Sequence, residues 1–517
     1  MNQARILYHL ARADFLERVR RYSFLVMLGA VLFLGYQAAI GNVSVQLGDY
    51  RGEFNSAWVG SMLAIIASFF LGWFGFYLVK GSVARDRETG VGQIMATTPL
   101  TRPLYSLGKW LSNFAVLIAM VIVLAIAGIA IQLFAGESNQ FDFIAFLAPF
   151  LFIALPMLAL TAALAVLFEY IGFLQGGFGN MLYFFFFSLI ISVSVISGKA
   201  NPALDPVGFH LLYESMGAAA KAAFPDYSGG FVLGSTGTRI LGIFAWSGVV
   251  WTFNIIFMRL LFLGIGIFLA LVSSILFDRF DTSRRKPKRM KNSISRQKPE
   301  PATVKKDLPT VQLTPIASPS NGFAFPRLLI LELKLLFKGQ RWWWYLVAGG
   351  LFIASLVNTP ENVRTFILPV TWLWPVLIWS GLGNRERRYN VGQMVFSSTS
   401  PLTRQLPATW LAGFLVTAMT GGGAAIKFLI AGDGASFLVW FSAAIFIPSL
   451  ALALGVWSKS SKLFEVIHVS MWYLALNGID MLDYFGANSD GNIGFFIPLS
   501  LGLITFAFVG RTRQLQT

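Results

Sequence analysis

The sequence predicts an all-α polytopic membrane protein, with about twelve transmembrane helices in two parallel six-helix repeats. Three observations carry this expectation: a composition too apolar for a soluble globule, a succession of long uncharged windows, and a charged passage written twice, 300 positions apart. Of 517 residues, 56% are hydrophobic and only 12% are charged, too few to cover a globule facing water. Windows such as "LIAMVIVLAIAGIAIQLFA", residues 117–135, carry no charge and are long enough to cross roughly 30 Å of hydrocarbon as a helix. The alternation of a membrane β-barrel is missing.

The amino-terminal "MNQARILYHLARADFLERVRRYSF" alternates charged and apolar residues without the cleavage site of a secretory signal, so residues 1–22 read as a retained amphipathic lead-in helix. A first six-span half follows over 23–277, with spans near 23–41, 57–79, 111–135, 142–168, 178–197 and 253–277. Residues 278–325 are rich in Pro, Ser, Lys and Arg and poor in aromatics, the composition of a basic disordered linker. A second amphipathic helix over 326–340 precedes a second half over 341–517, with spans near 341–357, 365–382, 409–431, 437–457, 463–479 and 493–510. The segment 240–256 reads either as a re-entrant cap or as the extended start of the sixth span.

The net charge of +16 does not imply nucleic acid. Nine Lys and Arg between Arg279 and Lys298 directly follow an apolar span, where lipid head groups are the natural partner. Lys and Arg also gather at the amino terminus, at 80–109 and at 385–404, which places those segments and both termini on the cytoplasmic side of a bacterial-type membrane. With no cysteine and only three scattered histidines, His9, His210 and His468, neither thiol chemistry nor a metal cluster is expected.

The repeat is explicit. Arg85, Arg87, Val91, Gly92 and Gln93 return as Arg385, Arg387, Val391, Gly392 and Gln393; "PLTR" recurs at 99 and 401; Trp110, Leu111 and Phe114 return as Trp410, Leu411 and Phe414. Each island lies between a second and a third span, so the halves form a parallel repeat.

"RDRETGVGQIMATTPLTRPLYSLGKWL", residues 85–111, resembles the cytoplasmic segment of ABC type-2 permeases, an Arg/Glu-rich run followed by Glu-x-Gly, a short amphipathic helix, a "TPL" turn and a Gly-Lys near the next span. Arg87, Glu88, Gly90, Pro99, Arg102, Gly108 and Lys109 occupy the pattern, while Gln93 departs from the Glu often found there. The second island keeps Arg387, Gly392, Gln393, Pro401 and Arg404 but has Arg388 and Asn390 for Glu88 and Gly90, so two docking faces would be unequal. The resemblance implies an exporter-like permease for a hydrophobic or amphipathic substrate. Cytoplasmic ABC ATPase subunits, two copies or a heteropair, would dock at Arg85, Arg87, Glu88, Gly90, Gln93, Pro99 and Arg102, and at Arg385, Arg387, Arg388, Gln393, Pro401 and Arg404. ATP and Mg would belong to that partner. The chain itself lacks a phosphate loop, since Gly108-Lys109 and Gly198-Lys199 are followed by Trp110 and Ala200.

Other residues read less sharply. His468 could titrate in a substrate path or be hydrogen-bonded between helices; Phe184 and Phe185 in "YFFFFSL" could line an apolar path or face lipid. Lys427 and Arg259 are expected near the outer membrane surface, and Asp480 and Asp483 in a solvated loop. An ion-coupled secondary transporter and a non-transporting scaffold for an ATPase are the rival classes, the first disfavoured by the scarcity of ionisable residues in the spans.

Overall fold

A computed structural model describes residues 3–138, 140–197, 204–234, 242–278, 280, 325–389, 391–397, 401–477, 479–487 and 492–516. Most of the linker expected over 278–325 lies outside them, as does Asn390.

In chain order the first half contains α1 (Gln3–Val19), α2 (Tyr22–Ala39), β1 (Ser44–Gln46), β2 (Tyr50–Gly52), α3 (Ser56–Trp73), α4 (Gly75–Val79), α5 (Ser82–Glu88), α6 (Val91–Ala96) and α7 (Arg102–Ala135). It continues with α8 (Phe143–Pro149), α9 (Leu155–Tyr170), α10 (Gly177–Ser197), α11 (Phe209–Ala223), β3 (Val232–Gly234), β4 (Gly242–Phe244) and α12 (Phe253–Ser273). The second half contains α13 (Phe325–Phe337), α14 (Trp342–Val357), α15 (Pro360–Asn362), α16 (Leu368–Leu373), α17 (Val376–Trp379), α18 (Arg385–Arg388) and α19 (Gly392–Phe396). The last four helices are α20 (Pro401–Ile430), α21 (Gly434–Ser458), α22 (Lys462–Leu476) and α23 (Ile493–Gln516).

The fold is all-α and polytopic, and every expected window holds a helix. Among the described residues eight helices are long and apolar enough to cross a bilayer, and α1 with α2, bent by 74°, makes a ninth candidate. The other three windows are shorter or interrupted: α14 has 16 residues, α22 has 15, and residues 360–379 break into α15, a π turn, α16 and α17. Twelve uniform spans thus give way to eight long helices, one bent pair and three short or broken segments.

The breaks have a local cause. π turns occupy Phe150–Ala154 and Val363–Ile367, and each ends just before a proline, Pro156 or Pro369. A proline ring removes one N–H and crowds the preceding turn, and the widened turn relieves that clash.

The chain divides into two compact units, residues 1–280 with 460–482, and residues 281–459 with 483–517. In unit 1, α3 is buried along most of its length against α7, α8 and α9. Gly60 permits this: a Cβ there would strike the Phe146 carbonyl, so only glycine lets α8 lie this close. Helix α22 belongs to this unit and packs on α10. In unit 2, α21 forms the core between α20 and α23.

At the α3 end remote from the island, β1 pairs antiparallel with β3 and β2 pairs parallel with β4. Trp58 meets Phe244 and Trp246 edge to face at 5.7 and 5.9 Å, sealing this cap onto the helices. Within 240–256, residues 253–256 are the first turn of α12, whereas 242–252 are neither a re-entrant helix nor an extension of that span. Residues 242–252 hold β4 and an irregular run, and α12 begins at Phe253 behind the Thr252 cap. Aromatic residues there favour extended pairing, and Gly242 and Gly248 disfavour a helix.

Two further expectations change. Arg259 is buried, donating to the Asp205 carbonyl at 2.5 Å and lying 3.4 Å from its carboxylate. A guanidinium with a partner inside the fold need not reach the membrane surface. Asp483 is also buried, accepting from the Gly486 and Ala487 backbone N–H groups at 2.7 and 3.1 Å, so it shapes a turn.

Candidate functional site

The first island is a pair of short helices, α5 and α6, hinged at Gly90, whose φ of 75° lies in the left-handed region that favours glycine. The buried Glu169 carboxylate at the end of α9 holds the start of α5. It accepts from the N–H groups of Gly81, Ser82, Val83 and Ala84 at 2.7–3.1 Å, and from the Ser82 hydroxyl at 3.1 Å. An acid at a helix start satisfies the orphan donors and complements the dipole.

Beneath α5 lies a buried four-charge cluster. Lys109 on α7 donates to Asp14 of α1 at 2.9 Å and lies 2.8 Å from Asp86 of α5. The Tyr105 hydroxyl donates to Asp86 at 2.6 Å. Arg18 donates to Asp14 at 2.9 Å, to the Asn113 amide oxygen at 2.5 Å and to the Val79 carbonyl at 3.3 Å. Burial alone would raise the Asp14 carboxyl, but the Arg18 and Lys109 charges hold it below the usual carboxylate range. With two acids and two bases the cluster is neutral, and it joins the lead-in helix, the island and the third span into one hydrogen-bonded piece.

A second network runs from the island base to α22. Lys80 donates to the Leu174 carbonyl at 2.8 Å and to the Asn180 side chain at 2.7 Å; Asn180 in turn donates to Glu465 at 2.6 Å, and Lys462 donates to the Lys80 carbonyl at 2.5 Å. Burial, with Lys462 nearby, depresses the Lys80 ammonium to about 8.

These contacts sort the sequence-predicted island residues. Arg85 pairs with Glu17 and Arg87 with Asp278, the latter at 3.1 Å, so both are engaged within the unit. Glu88, Gln93, Pro99 and Arg102 are exposed, together with Val91 and Ile94. Arg102 is the first residue of the long helix α7.

In unit 2, Arg385 pairs with Glu332 of α13, whereas Arg387, Arg388, Gln393 and Arg404 are exposed and Pro401 opens α20 half-buried. Repeat partners occupy matching roles. Glu386, at the Asp86 position, accepts from Gln405, at the Tyr105 position, at 2.8 Å. The cation is supplied differently, by Arg511 of α23 at 3.2 Å. Trp110 stacks on Phe114 and Trp410 on Phe414, with centroids 5.5 and 5.9 Å apart. Ile94 and Met394, 300 positions apart, are 68% and 75% exposed, so each island offers one uncovered apolar side chain at the same slot.

In the sequence Arg18 reads only as a topology signal and Lys109 as half of the Gly-Lys pattern, while Asp14 and Asp86 carry no reading of their own. The available signal was the acid at 86 and 386 inside an otherwise basic repeat. Of the residues expected to line a substrate path, Phe184 and Phe185 pack against rings of α22, the helix that also carries His468. Phe184 lies 4.9 Å from Trp73 and 5.7 Å from Tyr473, and Phe185 lies 6.0 Å from Trp472. His468, on the same helix as those last two rings, is fully buried and stacks on Phe464. Tyr183, Phe184 and Phe187 are buried against protein, so the lipid-facing reading does not hold for them.

Residues 8–213 match the family model of the ABC-2 family transporter protein. This stretch is an ABC-2 permease domain. It spans the lead-in helix, the first island, the four-charge cluster and the spans through α10. No curated protein and no solved structure matches the chain. The ABC-2 family is one of transmembrane subunits that are not themselves ATPases, and its permease domain, together with several long apolar helices, supports a multi-pass membrane protein of the permease kind.

Proposed function

We propose that the ABC-2 permease is the membrane half of an ATP-driven exporter for a hydrophobic or amphipathic molecule. ATPase subunits dock on residues 85–109 and 385–409 and supply the ATP and Mg chemistry. The chain lies in a bacterial-type cytoplasmic membrane with both termini cytoplasmic. The observation that carries this reading is the wiring of the first island: through Lys109, Asp86 and Asp14 it is bonded to α7 and α1, while Glu88, Val91, Gln93, Ile94 and Arg102 face outward. A push on such a ledge is transmitted as a rigid movement to the attached spans rather than absorbed locally. Exposed Ile94 and Met394 supply apolar knobs, and the surrounding charges select the partner. The second face is the more basic, with Arg387, Arg388 and Arg404 exposed.

Purification from native membranes should bring down an ABC ATPase, and proteoliposomes holding both should move a fluorescent amphiphile only with ATP. Ile94→Asp with Arg102→Glu should cut ATPase recruitment and transport at least tenfold at equal membrane abundance. An ATPase that binds without any vectorial movement makes the chain a scaffold. Movement driven by an ion gradient without ATPase makes it a secondary carrier.

A further inference from the structure

Each unit carries an arginine at the start of its second span and an acid just beyond its third. In unit 1 these residues meet: Arg51 donates twice to Glu137, at 2.8 and 2.6 Å, and Glu137 also accepts from the Phe54 N–H at 2.9 Å. In unit 2 the corresponding residues are Arg364, in the π turn that opens the second span, and Asp433, just past the end of α20. They do not meet. The Arg364 Nε is buried without a hydrogen-bond partner, and its charge reaches Asp433 only across the gap between them. Asp433 accepts from the Ser436 N–H at 3.0 Å, which leaves carboxylate lone pairs available.

Between them lies a pocket of about 110 Å³, lined by Arg364, Phe428, Asp433, Ala435, Val439 and Phe485. One water needs roughly 10–15 Å³ of such space, so a small polar group fits. The charges are those of the clasp in unit 1, held apart, with room for a molecule carrying both complementary charges. The walls add an apolar side, and Phe428, Val439 and Phe485 are buried around it. Depth also matters. Helix α20 starts at the island with Pro401, and Phe428 lies roughly 40 Å farther along its axis at 1.5 Å per residue. That distance is about the thickness of a bilayer including its head groups, so the pocket sits at head-group level on the face opposite the island.

We propose that this pocket binds an aminoalkyl phosphate head group, with the phosphate on Arg364, the ammonium on Asp433 and the adjoining chain against Phe428, Val439 and Phe485. A guanidinium recognises phosphate oxygens through paired N–H donors, and a carboxylate left with free lone pairs accepts from ammonium. A phosphatidylethanolamine of the bilayer and a soluble aminoalkyl phosphate share this chemistry. The site stands independently of the ATPase-docking reading.

The test uses the full-length chain in nanodiscs of phosphatidylethanolamine or phosphatidylglycerol, with retained lipid counted by native mass spectrometry. Wild type should retain the ethanolamine lipid at least tenfold over the glycerol lipid. Arg364→Gln should abolish retention. Asp433→Asn, which keeps the capping oxygen, should erase the preference between the two lipids. Ala435→Leu narrows the pocket without altering charge, and should lower retention at an unchanged melting midpoint, guarding against a folding defect. Competition by free glycerophosphoethanolamine assigns the site to the soluble head group; retention without competition assigns it to bilayer lipid. Equal retention of both lipids by wild type, or undiminished retention in a folded Arg364→Gln variant, overturns the proposal.

Discussion

Lys109 is 1% exposed and touches two carboxylates from two different helices. Removing one member of a buried ionic cluster leaves the others uncompensated, typically at a cost of about 3–5 kcal/mol. Lys109→Met should therefore lower the thermal midpoint strongly in detergent. Adding Asp86→Asn should recover at least half the loss, because Asp14 then balances Arg18 alone. A double variant no more stable than the single one would remove Asp86 from the cluster. From the sequence Lys109 is visible as half of a Gly-Lys motif, but its acids lie far away in the chain, and no periodicity connects Asp14, Asp86 and Lys109. The exposed island residues were easier to read, since Glu88, Gln93 and Arg102 belong to a contiguous repeated passage.

At the scale of elements, the Arg51 clasp ties β2 to the end of α7. Its hydrogen bond from Arg51 holds the Glu137 carboxyl below the usual glutamate range, with the Phe54 N–H adding to it. A depressed acid stabilises the fold above its unfolded pKa of roughly 4.3, and this contribution disappears as pH falls through the folded value. Glu137 is partly exposed, so the effect is at most about 1 kcal/mol. The wild-type melting midpoint should accordingly drop more steeply between pH 6 and pH 3 than that of Glu137→Gln, and parallel curves would sink the clasp as a stabilising contact. Long helices such as α7 and α21 were legible because their apolar runs exceed any soluble alternative. The breaks at Phe74, Pro156 and Pro369, and the cap strands, were not, because hydropathy averages over short interruptions.

For the whole molecule, the decisive quantity is which side each island faces. The chain has no native cysteine, so single cysteines report cleanly. Thr97→Cys and Ser397→Cys, both at exposed island positions, should resist an impermeant thiol reagent in intact cells and react after permeabilisation. Ala222→Cys and Ala431→Cys, exposed at the opposite ends of their units, should react in both conditions. Islands labelled from opposite faces would make the repeat inverted and a shared ATPase pair impossible. The repetition of the island was readable from the 300-residue offset, and Asp86 with Glu386 and Tyr105 with Gln405 hold matching hydrogen-bonding positions in it.

The sequence by itself determined the class of protein, the placement of the helical windows, the islands and their repetition. Each of these depends on local composition or on a pattern shared between two stretches of chain. Tertiary structure alone decided which charges are exposed and which are buried. It engaged Arg85 and Arg87 with Glu17 and Asp278, placed α22 with the first unit, and closed Arg51 on Glu137 while leaving Arg364 apart from Asp433. A charged side chain looks the same in sequence whether it is solvated or paired. Its state is fixed by partners that folding brings from far along the chain, because burial is tolerable only where such a partner arrives.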